Sequence, residues 1–260
     1  MAEHIQTCSV DKLMVKICPD RRVMGKAAGR AVASKMREVL KKRKTLSMVF
    51  AAAPSQNEFL EELSGIQEID WNRVVAFHLD EYLGLPGTAS QSFGNFLRSR
   101  LFEKVHPGKL YYLNGMADDP VAECERYSRL LNKHPLDIAC IGIGENGHIA
   151  FNDPPVADFS DPLRVKIVDL DLTSRQQQVN DGCFQDLEHV PKRAITLTVP
   201  AIFDARFIYC IVPGPSKAEA VRKTLKGVIS TECPASILRK HKHAILFLDS
   251  ESASRLLDQN

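Results

Sequence analysis

A histidine follows a glycine-rich turn in residues 141–154, which read IGIGENGHIAFNDP. The apolar run before the turn is typical of a buried strand, and a carboxylate, Asp153, follows His148 by five residues. Glycines at the C-terminal end of a strand let the backbone approach a ligand closely, so Gly144 and Gly147 are predicted to contact substrate. Because the unperturbed pKa of histidine lies near neutrality, the segment predicts an active-site loop that transfers protons.

Two adjacent carboxylates end a second apolar run. Residues 73–79 (RVVAFHL) are followed by DEYLGLP, which predicts that Asp80 and Glu81 lie in an acidic loop at a sheet edge. Alone, such a pair is usually a solvated turn, and a lone histidine is usually a structural residue. The presence of an acidic loop and a histidine loop at two strand ends favours a functional site over those structural interpretations.

The rest of the chain alternates strands with helices. Apolar runs predict strands at 46–52, 73–79, 137–143, 194–199, 206–212 and 244–248. Helical spacing and capping signals predict helices at 23–42, 55–63, 91–103, 119–132, 173–181 and 216–226, then a short terminal helix. Ser55 and Glu58 match a capping box, and the stretch from 144 to about 172 is expected to be rich in loops. This order predicts one α/β domain over residues 1–260, Rossmann-like, with a mostly parallel sheet and helices on both faces.

Composition and charge narrow the class of protein. Hydrophobic residues make up 44% of the chain and charged residues 25%, as in an ordinary soluble globule. A net charge of +2 does not indicate the concentrated basic surface that nucleic-acid binding requires. No apolar run approaches the roughly 18 residues of a membrane span. The seven cysteines include no CxxC pair, and no Cys/His cluster has zinc spacing. We therefore expect a cytoplasmic protein without a metal or other cofactor, with Cys140 and Cys210 as buried thiols.

The two loops resemble the signature loops of a known enzyme family. FHLDEYLGLP and GIGENGHIAFNDP are similar to those of glucosamine-6-phosphate deaminase, within the superfamily that also contains 6-phosphogluconolactonase. The similarity continues through 113–115, 190–198 and 214–218 and spans roughly residues 46–249. Lactonases typically carry a GDGHTASLFP-like loop, whereas residues 149–152 (IAFN) and DEYLGLP favour the deaminase branch. The resemblance implies an aldose–ketose isomerising deaminase of amino-sugar metabolism that acts on a hexosamine 6-phosphate, in the first place glucosamine 6-phosphate.

The resemblance also implies catalytic roles. His148 is the acid and base that opens the sugar ring, Asp80 is the base that moves a proton from C2 to C1, and Asp153 orients or stabilises the imidazole. The chain departs from the family's commonest pattern in two places, because Asn146 stands where Asp is usual and Asp153 stands where Glu is usual. Asn146 is still expected to orient a neighbour by hydrogen bonding, although it cannot carry a proton.

The phosphate site is the part of the family pattern that is most altered. The family uses a TGGTP-like loop, and the matching residues here, 52–56, read AAPSQ, so a proline without an N–H replaces one donor. Ser55 is expected either to bind phosphate or only to cap the following helix. Lys217 matches the family's phosphate-binding lysine. The family's phosphate-binding arginine appears as Asn180, and Arg175, about one helical turn earlier, is predicted to replace it.

Two other functions stay open at this point. One is a sugar-phosphate lactonase, which also uses a histidine and a carboxylate at this sheet edge. The other is a sensing module that binds a sugar phosphate without turnover, which Asn146 and the altered phosphate loop favour. The galactosamine epimer is an alternative substrate, and no allosteric regulation is predicted. Because family members are commonly oligomeric, the resemblance implies a homo-oligomer. The expected binding partner is a small-molecule sugar phosphate, and neither nucleic acid nor a membrane is expected to bind.

Overall fold

Strands and helices alternate along most of the chain. The computed structural model describes residues 5–256. Its strands are β1 (Gln6–Val10), β2 (Leu13–Cys18), β3 (Leu46–Phe50), β4 (Val74–His78), β5 (Asp80–Tyr82), β6 (Lys109–Tyr111), β7 (Ile138–Ile141), β8 (Val165–Asp169), β9 (Arg193–Leu197), β10 (Phe207–Val212) and β11 (Ala244–Asp249). Its α-helices are α1 (Arg21–Lys42), α2 (Asn57–Gly65), α3 (Phe93–Leu97), α4 (Glu103–Val105), α5 (Pro120–Lys133), α6 (Leu172–Asn180), α7 (Val199–Phe203) and α8 (Ala218–Lys226). Shorter helical turns lie at Pro54–Gln56, Trp71–Arg73, Arg98–Phe102, Pro215–Lys217, Pro234–Lys240 and Ser254–Leu256.

Eight strands form the central sheet, in the order β1-β2-β11-β10-β7-β3-β4-β6. Neighbouring strands pair in parallel, except that β1 and β2 form an antiparallel hairpin at one edge. The predicted α/β architecture with a mostly parallel sheet is therefore confirmed. The two hairpin strands β1 and β2 and the edge strand β6 were not predicted. The side chains of β1 and β6 are largely exposed or half-buried, and β2 mixes three buried positions with three exposed or half-buried ones.

Each face of the central sheet packs against its own helices. Met48 and Phe50 on β3 belong to the core that contains α1 and α2, whereas Val49 between them belongs to the core that contains α5 and α8. Successive side chains of a strand point to opposite faces, so a sheet that is covered on both faces requires continuous apolar runs. The packing thus explains the runs from which these strands were predicted, and confirms helices on both faces.

A second, smaller sheet has the strand order β5-β9-β8, and both of its pairings are antiparallel. Three predictions were wrong here: residues 80–82 are a strand and not a loop, residues 165–169 are a strand within the stretch expected to be loop-rich, and β9 does not belong to the central sheet. The two missed strands, β5 and β8, have three and five residues and lack a continuous apolar run, and the partner of a strand depends on segments far apart in the chain, which a local pattern does not show.

Helix α2 begins later than the capping box predicted. Pro54 starts a tight turn that includes Ser55 and Gln56, and the α-helix itself begins at Asn57 without any side-chain cap. The fixed φ of proline favours the first position of such a turn, which displaces the start of the helix. Ser55 is therefore not a capping residue, and its hydroxyl is left for another role.

Helix α1 lies very close to α2. Its N-terminus is capped by the Asp20 carboxylate, which accepts a hydrogen bond of 2.8 Å from the backbone N–H of Val23. A side chain at Gly25 would place its Cβ 2.5 Å from Cβ of Glu58 on α2, so the two helices can approach this closely only with glycine there. This contact brings the start of α1 next to the Pro54–Gln56 turn.

Two further expectations concern the described residues. Between residues 5 and 256, no helix is both long and apolar enough to cross a membrane. Over the same residues, no group of three or more His, Cys, Asp and Glu side chains is arranged to hold a metal ion. Cys140 on β7 and Cys210 on β10 are fully buried in the two cores, as predicted.

Candidate active site

A cleft of about 270 Å³ opens at the carboxyl edge of the central sheet, where β3, β4, β7 and β10 end. Ligands of open α/β folds characteristically bind at this edge. The predicted site residues Ser55, Asp80, Gly144, His148 and Lys217 all line the cleft. The acidic loop and the histidine loop, 68 positions apart in the sequence, therefore face one cavity. Polar lining residues that the sequence did not single out are Arg21, Gln177, Gln178, Asp181 and Ser216.

Strand β9 of the small sheet connects the Asp80 segment with the histidine loop. The chain leaves the central sheet after His78 and enters the small sheet at Asp80, which pairs with Thr196 on β9. The Thr196 hydroxyl accepts a hydrogen bond of 3.1 Å from the backbone N–H of Phe151 in the histidine loop. Thr196 thus holds the Asp80 segment and the histidine loop at a fixed separation, a contact that no local sequence pattern predicted.

The imidazole of His148 is held through its Nδ1 atom. The side-chain oxygen of Asn146 and Oδ1 of Asp153 each lie 2.8 Å from Nδ1, and Oγ of Ser174 lies 3.0 Å away. The amide of Asn146 also donates to Asp153 over 2.8 Å, and the Ser174 hydroxyl donates to the same carboxylate oxygen. Since both Asn146 Oδ1 and Asp153 Oδ1 are acceptors, the neutral ring carries its proton on Nδ1. Nε2 is then the nitrogen that can accept a proton from a ligand in the cleft.

Asn146 and Asp153 both contact the imidazole, while their roles in catalysis stay predictions. The shorter aspartate reaches the imidazole, and the asparagine orients both partners from behind the cleft. Ser174 was not predicted, because it lies in a polar helix segment (LTSRQQQVN) with nothing to distinguish it from its neighbours. It is nevertheless fully buried beside two proposed catalytic side chains.

Two glycines shape the histidine loop in different ways. A Cβ at Gly144 would lie 2.1–2.4 Å from three atoms of the His148 ring, so only glycine allows the imidazole to pack on this turn. Gly147 has a φ of +89° and faces Cys233, and it does not line the cleft. The prediction that Gly147 contacts substrate is therefore wrong, because its conformation serves the turn itself. Ala150, which does line the cleft, has the uncommon positive φ of 50°.

The adjacent carboxylates Asp80 and Glu81 point to opposite sides of β5. Glu81 accepts hydrogen bonds from the backbone N–H groups of Tyr82, Phe93 and Gly94 and from the Ser92 hydroxyl, all within 3.2 Å. It therefore anchors the start of α3 and has no free position for a ligand. Asp80 lines the cleft without such donors, and burial, together with the nearby Glu81 charge, raises its pKa to about 8.

Asp153 behaves in the opposite way. Burial acts to raise its pKa, but the hydrogen bond and charge of His148, with hydrogen bonds from Asn146 and Ser174, together hold the pKa below the ordinary value. It stays an anion over a wide pH range and can stabilise a protonated imidazole. The two carboxyl groups of the site are thus separated in proton affinity, which suits one base and one fixed charge.

A buried lysine, Lys217, lines another part of the cleft. Lys217 is 6% exposed, and its Nζ makes no hydrogen bond within the described residues. Burial lowers its pKa, although the charges of Asp181 and Glu145 oppose that shift. The Ser55 hydroxyl faces the same cleft and accepts a hydrogen bond of 3.1 Å from the side chain of Gln56. A buried cation without a hydrogen-bond partner is costly in the free protein, so this arrangement fits an anionic ligand.

The predicted replacement of the missing arginine by Arg175 is wrong. Its guanidinium donates to the backbone carbonyls of Leu187 and Val190, and it does not line the cleft. Asn180 is also absent from the lining and accepts a hydrogen bond from Gln176. Arg175 lies on the buried side of α6 because the segment after that helix folds back and offers it carbonyl acceptors, which helical spacing alone could not show.

Comparison with known proteins agrees with these observations. The family model described as glucosamine-6-phosphate isomerases/6-phosphogluconolactonase matches residues 19–247. The glucosamine-6-phosphate deaminase of Halothermothrix orenii is 35% identical over 248 residues, which cover 94% of this chain and 100% of that protein. The deaminase of the same name from Bacillus cereus strain B4264 is 35% identical over 217 residues, 84% of this chain and 80% of that protein.

Two solved structures of similar proteins match this chain over most of its length. A monomeric glucosamine-6-phosphate deaminase matches with a TM-score of 0.85 and 31% identity, over 92% of this chain and 98% of that chain. A 6-phosphogluconolactonase from Thermotoga maritima matches with a TM-score of 0.75 and 20% identity, over 92% of this chain and 100% of that chain. The second similarity, at this low identity, supports the shared fold alone.

Proposed function

Because this chain belongs to the family of glucosamine-6-phosphate isomerases and 6-phosphogluconolactonases, we propose that it is an aldose–ketose isomerising deaminase of hexosamine 6-phosphates. Glucosamine 6-phosphate is the first candidate substrate, and a ketohexose 6-phosphate and ammonia are the products. The observation that carries the proposal is the pairing of Asp80 and His148 across one cleft. An enzyme that opens a ring and then isomerises the chain needs two separate proton-transfer groups, and these two side chains provide them.

In the first step, His148 opens the sugar ring. Its Nε2 accepts the proton of the C1 hydroxyl, and the resulting imidazolium donates a proton to the ring oxygen as the C1–O5 bond breaks. The anionic Asp153 stabilises the imidazolium through Nδ1, 2.8 Å away, and Asn146 keeps the ring in position. This is the role that a carboxylate plays behind a catalytic histidine in other enzymes.

In the second step, Asp80 transfers the proton. Its carboxylate removes the proton from C2 of the open-chain aldehyde, which gives an enolamine, and returns the proton to C1. The C2 imine that results is hydrolysed by water to a ketone, and ammonia leaves. A carboxyl pKa of about 8 makes Asp80 a far stronger base than an exposed aspartate, so it suits removal of a weakly acidic C–H proton.

The phosphate lies, in this proposal, against Lys217 and Ser55. Lys217 is a buried cation without a partner, and the Ser55 hydroxyl is not used to cap a helix. Both features favour a phosphorylated substrate over an unphosphorylated amino sugar. The retention of a histidine, its carboxylate and a separate base also argues against a module that only senses sugar phosphates, since binding alone needs no proton shuttle.

The test is a comparison of substrates. We expect ammonia release from glucosamine 6-phosphate, with galactosamine 6-phosphate assayed beside it, and at most trace release from unphosphorylated glucosamine. Arg22→Gln, an exposed change at the N-terminus of α1 away from the cleft, serves as the control for protein handling. Faster hydrolysis of 6-phosphogluconolactone than release of ammonia would replace the proposal with a lactonase. Saturable binding without any turnover would replace it with a sensing module.

Three further expectations accompany the function. We propose a cytoplasmic enzyme, which the buried thiols of Cys140 and Cys210 support because such thiols are typical of reducing compartments. The homo-oligomer implied by family resemblance gains no support from the similar solved deaminase, which is monomeric, and sedimentation of the purified protein decides between the two. The single domain over 1–260 stays a prediction, and residues 1–4 and 257–260 lie outside the described part of the chain.

A further inference from the structure

The cleft lining contains only a few charged side chains among the described residues. Among the described lining residues, Arg21 and Lys217 are the cations, and Asp80 and Asp181 carry the carboxyl groups. Asp181 offsets one positive charge, so Lys217 alone leaves little net attraction for a phosphate dianion. Helix α6 supplies no further cation to the cleft, because Arg175 is bound to backbone carbonyls outside it.

We propose that Arg21 is the second cation of the anion site and binds the phosphate group of the substrate together with Lys217. The inference rests on the proposed function and deepens it, since it assigns a specificity-determining residue that neither motif nor family resemblance singled out. Arg21 precedes the region of motif similarity and belongs to a helix that the sequence predicted only from 23 onwards.

The fold explains how the first residue of α1 reaches the cleft. Asp20 fixes the start of the helix, and the close approach at Gly25 holds α1 against α2. From this position the Arg21 guanidinium donates through Nη2 to the carbonyl of Pro54 over 3.0 Å and to Glu58 over 2.9 Å. The Pro54–Gln56 turn in turn packs against β10, whose C-terminal end leads to Lys217. The two cations therefore flank one turn.

Arg21 also supplies hydrogen-bond donors that this turn lacks. Pro54 has no N–H, so the turn offers an anion one backbone donor fewer than an ordinary residue would. The Nη1 atom of Arg21 makes no hydrogen bond to the described residues, while Nε and Nη2 are held by Glu58 and Pro54. A guanidinium anchored in this way on one side presents its remaining N–H groups to a phosphate at little entropic cost.

The competing interpretation is that Arg21 only forms a surface ion pair between α1 and α2. Its side chain is 43% exposed and that of Glu58 is 26% exposed, and ion pairs of this kind contribute little to stability. The two interpretations differ in what removal of Glu58 does. If Arg21 acts only through the ion pair, Glu58→Gln has the same effect as Arg21→Gln. If Arg21 binds phosphate, Glu58→Gln leaves the cation free to do so.

The experiment compares Arg21→Gln, Arg22→Gln and Glu58→Gln in the full-length protein. We expect Arg21→Gln to raise KM for glucosamine 6-phosphate and the inhibition constant of inorganic phosphate by about tenfold or more, with kcat within roughly twofold, because the guanidinium contacts a group that does not react. Arg22→Gln, one position along the same helix, should keep wild-type values. Glu58→Gln should keep a KM equal to or below that of the wild type.

Two outcomes overturn the assignment: wild-type KM and phosphate inhibition in Arg21→Gln, or an equal rise in KM in Glu58→Gln. Failure of the proposed function is recognised separately, as absence of ammonia release by the wild type with either hexosamine phosphate. In that case calorimetric titration with inorganic phosphate still tests Arg21, since the measurement does not depend on turnover. Equal phosphate affinity in the wild type and Arg21→Gln then rejects the second cation.

Discussion

His148 and Lys217 line the same cleft, but they differ in how many hydrogen bonds the protein makes to them. The side chains of Asn146, Asp153 and Ser174 lie within 3.0 Å of Nδ1 of His148. Asn146 and Ser174 also donate hydrogen bonds to Asp153. The Nζ atom of Lys217 makes no hydrogen bond within residues 5–256. In the free protein, Nδ1 of His148 is therefore already held by its neighbours, whereas Nζ of Lys217 still lacks a hydrogen-bond partner.

The pKa shifts of the two parts express the same difference. At the histidine, neighbouring groups lower the pKa of Asp153 against the effect of burial, so the charged form is stabilised in the folded protein. At Lys217, burial lowers the pKa and the charged form is destabilised. Groups that are already oriented, such as those around His148, need no reorganisation energy during the reaction. A charge without a hydrogen-bond partner, such as that of Lys217, can gain interaction energy when a ligand binds. In the proposed mechanism, this division assigns the specificity for phosphate to binding and the rate to His148 and Asp80.

The largest effect is expected from His148→Gln. The substitution removes the proton shuttle but keeps a polar side chain of similar size on Gly144, so kcat should fall about 10²–10⁴-fold while KM changes little. Steady-state ammonia release measures both parameters, and thermal unfolding checks that the variant is folded. Wild-type turnover in a folded variant would remove His148 from the mechanism.

Lys217→Met should change binding and stability in opposite directions. Loss of a charged contact to phosphate is expected to raise KM about 10- to 100-fold. The same change should raise the melting temperature of the ligand-free protein at neutral pH, because it removes a buried cation without a partner.

The sign of the Lys217 stability effect follows from the lowered pKa. The folded state resists protonation of Lys217, so the wild type is penalised at pH values below the ordinary pKa of lysine, and the advantage of Lys217→Met should vanish as the pH rises above that value. Thermal scans at several pH values, with and without inorganic phosphate, measure it. Destabilisation at neutral pH would mean that Lys217 already has a stabilising partner.

Ser174→Ala tests the support behind the histidine and should have a smaller effect. Loss of one neutral hydrogen bond to the pair of His148 and Asp153 is expected to lower kcat about three- to tenfold, with KM unchanged. The pH profile of kcat should shift as well, because one of the hydrogen bonds that lowers the pKa of Asp153 is gone. Ser174→Thr keeps the hydroxyl and should restore both kcat and the profile. An unchanged profile in Ser174→Ala would assign the serine to packing alone.

Asp80→Asn, a variant that should also lack turnover, tests how stability depends on pH. The folded state raises the pKa of Asp80 to about 8, above the roughly 3.9 of an unfolded chain, so the folded protein holds a proton that the unfolded chain releases between these values. Stability of the wild type is therefore lost as the pH rises through this window. Asp80→Asn should melt at the wild-type temperature near pH 4 and a few degrees higher at pH 8 and above. A constant difference across this range would show that Asp80 has an ordinary pKa.

Local pattern was sufficient for much of the fold and for the two catalytic loops. The buried strands β3, β4, β7, β10 and β11 were found because strands covered on both faces must be continuously apolar. Asp80 was found because it comes two residues after β4, and His148 because it lies in the glycine-rich turn that follows β7. The capping role of Ser55 and the phosphate role of Arg175 were misjudged, since one depends on the turn that Pro54 forms and the other on acceptors 12 and 15 positions further along the chain.

By itself, the sequence determined the continuously buried strands of the central sheet, most of the helices and the chemical groups that follow those strands, because these depend on short-range periodicity and on residue type. Only the tertiary structure decided which of those groups meet. Thr196 joins the Asp80 segment to the histidine loop, Ser174 reaches the imidazole, and Gly25 brings Arg21 to the cleft. Such contacts, and the pKa values that burial sets, depend on packing between segments far apart in the chain, which no local pattern encodes.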